Sequence, residues 1–98
     1  MNAVVAEEAP KLLKLDLGAG KSKLAGFTSV DAIDFEGVDI VHDLRQPWPW
    51  ADDSVDEVHS SHFVEHLTNP ERMHFWSEMG RVLKKGATAR IIPPHWSN

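Results

Sequence analysis

The chain has no cysteine among its 98 residues. This absence excludes a disulfide-stabilised scaffold, zinc sites built on thiolates, iron–sulfur clusters and a cysteine nucleophile. The chain also has no apolar run near the roughly 20 residues that a membrane-spanning helix needs. Residues 1–10 contain two glutamates and no basic residue, which is not the pattern of a secretory signal. We therefore expect a soluble cytoplasmic protein with no membrane partner.

Basic residues are in the minority. Ten Lys and Arg stand against fifteen Asp and Glu, so the formal net charge is −5 with the six His neutral. A general nucleic-acid binder needs a basic surface to neutralise phosphates, so nucleic acid is not favoured as a partner. The 42% hydrophobic and 26% charged content is that of an ordinary globular protein. We expect a flexible lead-in at residues 1–10 and one small domain at 11–98.

Five short segments rich in apolar and β-branched residues predict strands. They lie at residues 11–17, 27–33, 38–42, 55–60 and 87–92. Together with one long helix, they indicate an α/β fold with a parallel sheet. Only about nine residues separate the first two segments, whereas a parallel crossover usually needs a dozen or more. The first crossover is therefore reduced, or the pair is not a full β–α–β unit.

The long helix is predicted at residues 70–83. Asn69 is a suitable N-cap, and Pro70 suits the first helical position. Gly86 follows two lysines and is typical of a left-handed helix stop. Four apolar residues recur at helical spacing and predict the buried stripe: Met73, Trp76, Met79 and Leu83.

The most informative segment is LDLGAG at residues 15–20, where a strand ends and two glycines follow. Glycine lets the backbone turn sharply and lets a ligand approach closely. Ligands of open α/β sheets bind beyond the carboxyl ends of the strands. Asp31 lies near the end of the second predicted strand and Asp43 just after the third. The pattern indicates a ligand site at three strand ends, with a plain glycine-rich turn as the alternative.

Two nucleotide-binding motifs fit this segment poorly. Residues 20–22 end like a phosphate-binding P-loop, but that motif needs glycine where Leu15 stands. The dinucleotide fingerprint needs glycine where Lys23 stands. Its ribose-binding acid is expected about 20 residues further on, and Asp31 and Asp34 come too early. A dinucleotide-binding domain remains the weaker alternative.

The wider pattern resembles the class I S-adenosylmethionine-dependent methyltransferases, specifically their small type-11-like group. The matching segments follow the family's order: LDLGAG at 15–20, GFTSVD at 26–31, DIVHDLRQPWPWADDSVDEVHSSHFVEHL at 39–67, and EMGRVLKKGATARIIPP at 78–94. The resemblance implies a Rossmann-like parallel sheet of about five strands in the order 3-2-1-4-5. The family normally continues with further strands and a substrate-binding section, so we expect a form truncated after the fifth strand. The family's turn often has a third glycine, where this chain has Ser22.

The resemblance implies S-adenosylmethionine as the cofactor and seven residues that bind it: Asp16, Gly18, Ala19, Gly20, Asp31, Asp43 and Leu44. The glycines border the methionine part of the cofactor, and Asp16 helps to orient it. Asp31 accepts hydrogen bonds from the ribose hydroxyls. Asp43 accepts from the adenine amine, with Leu44 beside the ring. Carboxylates are strong acceptors for such donors, although a turn-forming role is the alternative for each acid.

Residues 62–66 (HFVEH) match the inverted zinc-protease motif. Zinc would need both histidines on one helical face and a third ligand. A strand precedes these residues directly and Asn69 follows closely, which leaves little more than one helical turn, so we expect no metal site. The family resemblance places this segment at the floor of a substrate cleft. There His62 is a candidate catalytic base or orienting group, because imidazole can exchange protons near neutral pH; a structural or solvent-exposed histidine is the alternative.

Two further features carry less weight. Trp48 and Trp50 flank Pro49 next to the expected adenine site; packing under the loop is a commoner fate for them than stacking on a ligand. Residues 92–96 (IPPHW) only partly match a box found in enzymes that methylate amino groups of nucleic acids.

The leading hypothesis is a methyltransferase with a small-molecule or unknown acceptor. The alternative is a non-catalytic or partner-completed cofactor-binding module. A homodimer through the edge of the fifth strand is a further expectation, because that edge leaves backbone groups unpaired.

Overall fold

The strands form one parallel sheet. A computed structural model of the protein describes residues 12–21 and 24–92. The elements are β1 (Lys14–Leu17), β2 (Thr28–Asp31), β3 (Ile40–Val41), β4 (Val55–Ser61), α1 (Asn69–Val82) and β5 (Leu83–Ile92). The strand order is β3-β2-β1-β4-β5, and each neighbouring pair is parallel. This confirms the Rossmann-like α/β fold and the strand order 3-2-1-4-5.

The first crossover is reduced, as predicted. Between β1 and β2 the described residues form turns and no helix. The backbone N–H groups of Gly18 and Ala19 both donate to the carbonyl oxygen of Val30, at 2.8 and 3.1 Å. The end of β1 is therefore bonded directly to β2, and the glycine turn lies over the carboxyl edge of the sheet.

Strand pairing divides the sheet into an apolar face and a polar face, because residues paired across parallel strands point to the same side. Leu15 pairs with Val58, and both are fully buried. One residue further on, Asp16 pairs with Ser29 of β2 and with His59 of β4. The alternation along β1 thus sends hydrophobic side chains to the core and an acid to the opposite face.

The face through which α1 packs on the core is only partly the predicted stripe: Met79 is buried and Leu83 packs against the core, as predicted. Phe75, Met79 and Val82 are its buried residues. Met73 is 72% exposed and Trp76 is 46% exposed, so the prediction that they face the core was wrong. Phe75, Met79 and Val82 also recur at helical spacing, and the way α1 packs against the sheet decides that these three are buried.

Both ends of α1 differ from the prediction. Thr68, rather than Asn69, is the N-cap: its side chain accepts from the N–H of Glu71, and the Glu71 carboxylate accepts from the N–H of Thr68 at 2.9 Å. This reciprocal pair is a capping box. At the other end β5 begins directly at Leu83. Gly86 is not the helix stop; it lies within β5 with φ +82°, where the pairing with β4 shifts register.

Arg81 of α1 fixes the long connection between β3 and β4. Its guanidinium donates to the Glu78 carboxylate at 2.6 Å and to that of Asp52 at 2.8 Å. It also donates to the carbonyl oxygens of Trp48 and Trp50, at 3.1 and 2.9 Å. Glu78 in turn accepts from the N–H of Trp48 at 2.8 Å. The connection that carries one wall of the site is thereby held against the helix.

The described residues contain no helix long and apolar enough to cross a membrane. The predicted lead-in at 1–10 and most of the segment at 92–96 lie outside the described residues.

Candidate functional site

The glycine turn after β1 requires two glycines with positive φ. Gly18 has φ +71° and Gly20 has φ +61°, values that L side chains adopt only with strain. At Gly18 a Cβ atom would lie 2.5 Å from Cδ1 of Phe63. The Phe63 ring therefore lies directly against the turn, and only glycine leaves room for it.

Asp31 at the end of β2 supports this turn. Its Oδ2 accepts from the N–H of Gly20 at 2.8 Å, and its Oδ1 accepts from the N–H of Ile33 at 3.0 Å. The second bond forms an Asx turn. The carboxylate thus fixes both its own loop and the glycine turn, while the side chain also borders a cleft.

Asp43, just after β3, forms the same kind of turn. Its Oδ1 accepts from the backbone N–H and from Nε of Arg45, at 3.0 and 2.9 Å, and its Oδ2 accepts from Nη2 at 2.8 Å. The side-chain hydrogen bonds from Arg45, followed by its backbone N–H, lower the pKa of Asp43 to about 2. This carboxylate stays ionised throughout the neutral range.

A first cleft lies at the carboxyl ends of β1, β2 and β3; we call it the acid cleft. It encloses about 210 Å³. Its lining includes Gly18, Asp31, Asp43, Leu44 and Phe63. The structure therefore brings together four of the seven predicted cofactor-binding residues in one cavity. Gly20 does not line it, but acts on it through its bond to Asp31.

A second cleft lies on the polar face of the sheet; we call it the histidine cleft. It encloses about 350 Å³, and its lining includes Asp16, Gly18, Ala19, His59 and His62. Gly18 lines both clefts. The glycine turn is therefore part of the wall of both clefts, and each cleft also has an acid in its lining.

Asp16 and His59 form a partly buried pair in the histidine cleft. The Asp16 side chain is 7% exposed and the His59 side chain 19%. His59 Nδ1 lies 3.3 Å from Asp16 Oδ1, and the imidazole packs edge-on against Phe27. When Nδ1 carries the proton it donates to the Asp16 carboxylate, and Nε2 of the neutral ring is then a hydrogen-bond acceptor.

His62 lies at the end of the same cleft. Its side chain is exposed, and its backbone has φ +57° and donates to the carbonyl oxygen of Ile92 at 2.8 Å. The following Val64–His66 segment is a single 3₁₀ turn, which agrees with the short strand-to-helix turn expected here. Within residues 12–21 and 24–92, no three His, Asp or Glu side chains are placed to hold a metal ion.

Trp48 packs in the core rather than in a ligand site. It is 4% exposed, and its Nε1–H donates to the carbonyl oxygen of Leu44 at 2.9 Å. Its ring contacts Phe75 and Trp50 edge-on. Trp48 thus fixes the backbone of Leu44, which is itself 4% exposed and lines the acid cleft.

Several lining residues of the clefts were not predicted from the sequence, and three of them have side chains that matter for the site. Phe63 and Arg45 line the acid cleft, and His59 lines the histidine cleft. The alternation of side chains along β4 indicates the direction of His59. It lies between the buried Val58 and Ser60, so its side chain must point to the other face of the sheet. Arg45 and Phe63 lie in loops, where no periodicity indicates a direction.

Comparison with models of protein families identifies the family of this chain. The model of the Methyltransf_11 family, described as a methyltransferase domain, matches residues 14–91. Searches of curated proteins and of solved structures found no significant match. The matched range includes both clefts.

Proposed function

This chain belongs to the Methyltransf_11 family of methyltransferase domains, and we propose that it binds S-adenosylmethionine across its two clefts and transfers the methyl group to an acceptor. The observation that carries this proposal is that Gly18, just after β1, lines both clefts. They lie at the carboxyl edge of a parallel sheet, where ligands of this fold class bind.

The residues present suit an adenosyl sulfonium compound. The acid cleft presents two carboxylates, Asp31 and Asp43, to accept from hydroxyl and amino donors. Asp16 in the histidine cleft adds a third acid, which favours a positively charged ligand. Gly20 has open space where a Cβ would be, so a ligand can approach the backbone of the turn.

We assign the adenosyl part to the acid cleft and the amino-acid part to the histidine cleft. Asp31 accepts from the ribose hydroxyls, and Asp43 accepts from the adenine amino group beside Leu44. Gly18, Ala19 and Gly20 provide the turn that the ligand crosses, and Asp16 orients the ammonium end. The turn-forming bonds of Asp31 and Asp43 hold the two carboxylates in place before the ligand binds.

The chemistry is an in-line methyl transfer. When bound, S-adenosylmethionine supplies a methyl group already activated by the sulfonium leaving group. The protein's main contribution is to position the acceptor and the cofactor, and no nucleophile from the protein is required. His62, exposed at the end of the histidine cleft, is our candidate for the group that accepts the acceptor's proton.

Calorimetric titration tests the cofactor, with S-adenosylmethionine and NAD in separate runs. We expect heat with S-adenosylmethionine and none with NAD; the reverse would support a dinucleotide-binding domain and contradict the proposal. Incubation with methyl-labelled cofactor and fractionated small-molecule extracts then tests transfer.

A non-catalytic or partner-completed module is the second candidate. Within the described residues, β5 pairs with β4 and no strand lies along its other side. Most of its ten residues are exposed, so two copies can pair through this edge.

Analytical ultracentrifugation tests this pairing: a species of twice the 11.0 kDa chain mass supports it, and a monomer at high concentration contradicts it. Cofactor binding without any labelled product supports the module.

A further inference from the structure

We propose that Arg45 is a positioning residue that makes the acid cleft select adenine over a purine with oxygen at position 6. This inference rests on the proposed function. Arg45 acts through Asp43, and the argument begins with the bonds between the two residues.

Arg45 controls most of the acceptor capacity of Asp43. A carboxylate offers about four lone-pair sites, and three donors of Arg45 approach this one: its backbone N–H, its Nε and its Nη2. Two of these bonds form the planar, bidentate arrangement that only arginine provides. Among the residues that the structure describes, Nη2 of Arg45 is the donor to Oδ2, so the lone pair left for a ligand is on this oxygen.

A carboxylate held in this way can accept but not donate. Adenine presents an amino group at position 6, which donates to such an oxygen. Hypoxanthine presents a carbonyl oxygen there, which would face the carboxylate as a second acceptor and leave both unpaired. Sites built around a hydrogen bond reject analogues that cannot form it. The pKa of Asp43, lowered to about 2 by Arg45, keeps the group in its accepting form.

A second contact fixes the orientation of the arginine. Its Nη1 lies 3.9 Å from Oε2 of Glu71, the residue that closes the capping box with Thr68. The pair is thereby tied to the first turn of α1, which closely follows Leu67, another residue of the acid-cleft lining. The Arg45 side chain is 54% exposed, so the pair adds little to folding stability. We therefore expect Arg45 to affect ligand selectivity more than folding.

The test compares S-adenosylhomocysteine with S-inosylhomocysteine, in which a carbonyl oxygen replaces the amino group at position 6 of the purine and N1 carries a hydrogen. Calorimetry gives a dissociation constant for each. For the unsubstituted protein we expect the inosyl compound to bind at least about tenfold more weakly. For Arg45→Ala we expect this ratio to fall to about threefold or less. Arg45→Lys restores the charge without the bidentate geometry, so its ratio lies between the two.

Two further variants separate positioning from general disruption. Arg90→Ala removes an exposed arginine of β5, outside the acid cleft, and should leave the ratio unchanged. Asp43→Asn should abolish the selectivity, and adding Arg45→Ala to it should have no further effect on the ratio, because Arg45 acts through Asp43. Thermal melting of each variant establishes that it is folded; if Arg45→Ala is not, the Arg45→Lys ratio decides.

The outcomes are distinguishable. If the unsubstituted protein binds neither compound, the proposed function fails and this inference fails with it. If it binds and discriminates, but Arg45→Ala or Arg45→Lys keeps the full ratio, the inference alone is wrong. Independent effects of Asp43→Asn and Arg45→Ala would also overturn it.

Discussion

The backbone N–H of Gly20 donates to Oδ2 of Asp31 at 2.8 Å, joining the glycine turn after β1 to the end of β2. The same carboxylate accepts from Ile33 through Oδ1. One side chain therefore shapes two loops of the acid cleft and also borders the cleft itself. This dual role means that substitution of Asp31 affects both the loops and the ligand.

We predict that Asp31→Asn weakens S-adenosylmethionine binding by about 1–3 kcal/mol, the usual scale for loss of a charge-assisted hydrogen bond. Asparagine has one acceptor oxygen for two backbone donors. Asp53→Asn is the matched control, because Asp53 precedes β4 at the opposite edge of the sheet. Its φ of +53° is also one that asparagine tolerates. Calorimetry that finds equal affinities in the two variants would remove Asp31 from the site.

A paired substitution tests the fit between Phe63 and the turn. Gly18→Ala and Gly20→Ala both place a side chain at positive φ, which costs about 1–2 kcal/mol. Only Gly18→Ala also drives a Cβ to within 2.5 Å of Phe63, and overpacking adds about 1–3 kcal/mol. Urea denaturation should therefore show Gly18→Ala as the less stable variant. Equal free energies of unfolding would mean that Phe63 does not pack against the turn as described.

Acid should destabilise the protein through the Arg81 cluster. The Arg81 guanidinium, and then the N–H of Trp48, lower the pKa of Glu78 below its ordinary 4.5. Below pH about 4.5 the unfolded chain binds more protons at this group than the folded chain, so stability rises with pH in that range. It is lost as the pH falls through the folded pKa. Denaturation curves at successive pH values should give a shallower dependence for Glu78→Gln than for Glu36→Gln, an exposed glutamate outside the cluster. The same slope in both would contradict this account.

The two histidines of the histidine cleft should have different roles. We predict that His62→Gln lowers kcat by about 10²-fold or more, the usual contribution of general acid–base catalysis, with little change in cofactor affinity. His59→Gln breaks the pair with Asp16 and should weaken cofactor binding instead. Steady-state kinetics and calorimetry on both variants separate these effects. An unchanged kcat in His62→Gln would remove it as the base.

The sheet and its acids could be predicted because their signals are local. Apolar runs precede the glycine turn of LDLGAG and Asp31, which places both at the ends of strands. Because the strands are parallel, those ends lie at one edge of the sheet. The buried face of α1 could not be predicted from the sequence in the same way. Met73 and Phe75 both belong to apolar stripes at helical spacing, and only packing against the sheet decides which is buried.

The caps and the loop contacts were harder to predict for related reasons. Thr68 and Asn69 are both good N-caps, and the distinguishing signal was Glu71 three residues after Thr68. Gly86 follows two lysines as a helix stop would, yet the chain enters β5 at Leu83. The pairing of Arg45 with Asp43 depends on loop geometry that no periodicity encodes.

The most direct test of the central claim is a crystal structure of the protein with S-adenosylhomocysteine. We predict density for the adenosine in the acid cleft, with its ribose on Asp31 and its amino group on Asp43. The amino-acid end should cross Gly18 into the histidine cleft. Density in another part of the molecule, or with the purine away from both carboxylates, would contradict the account.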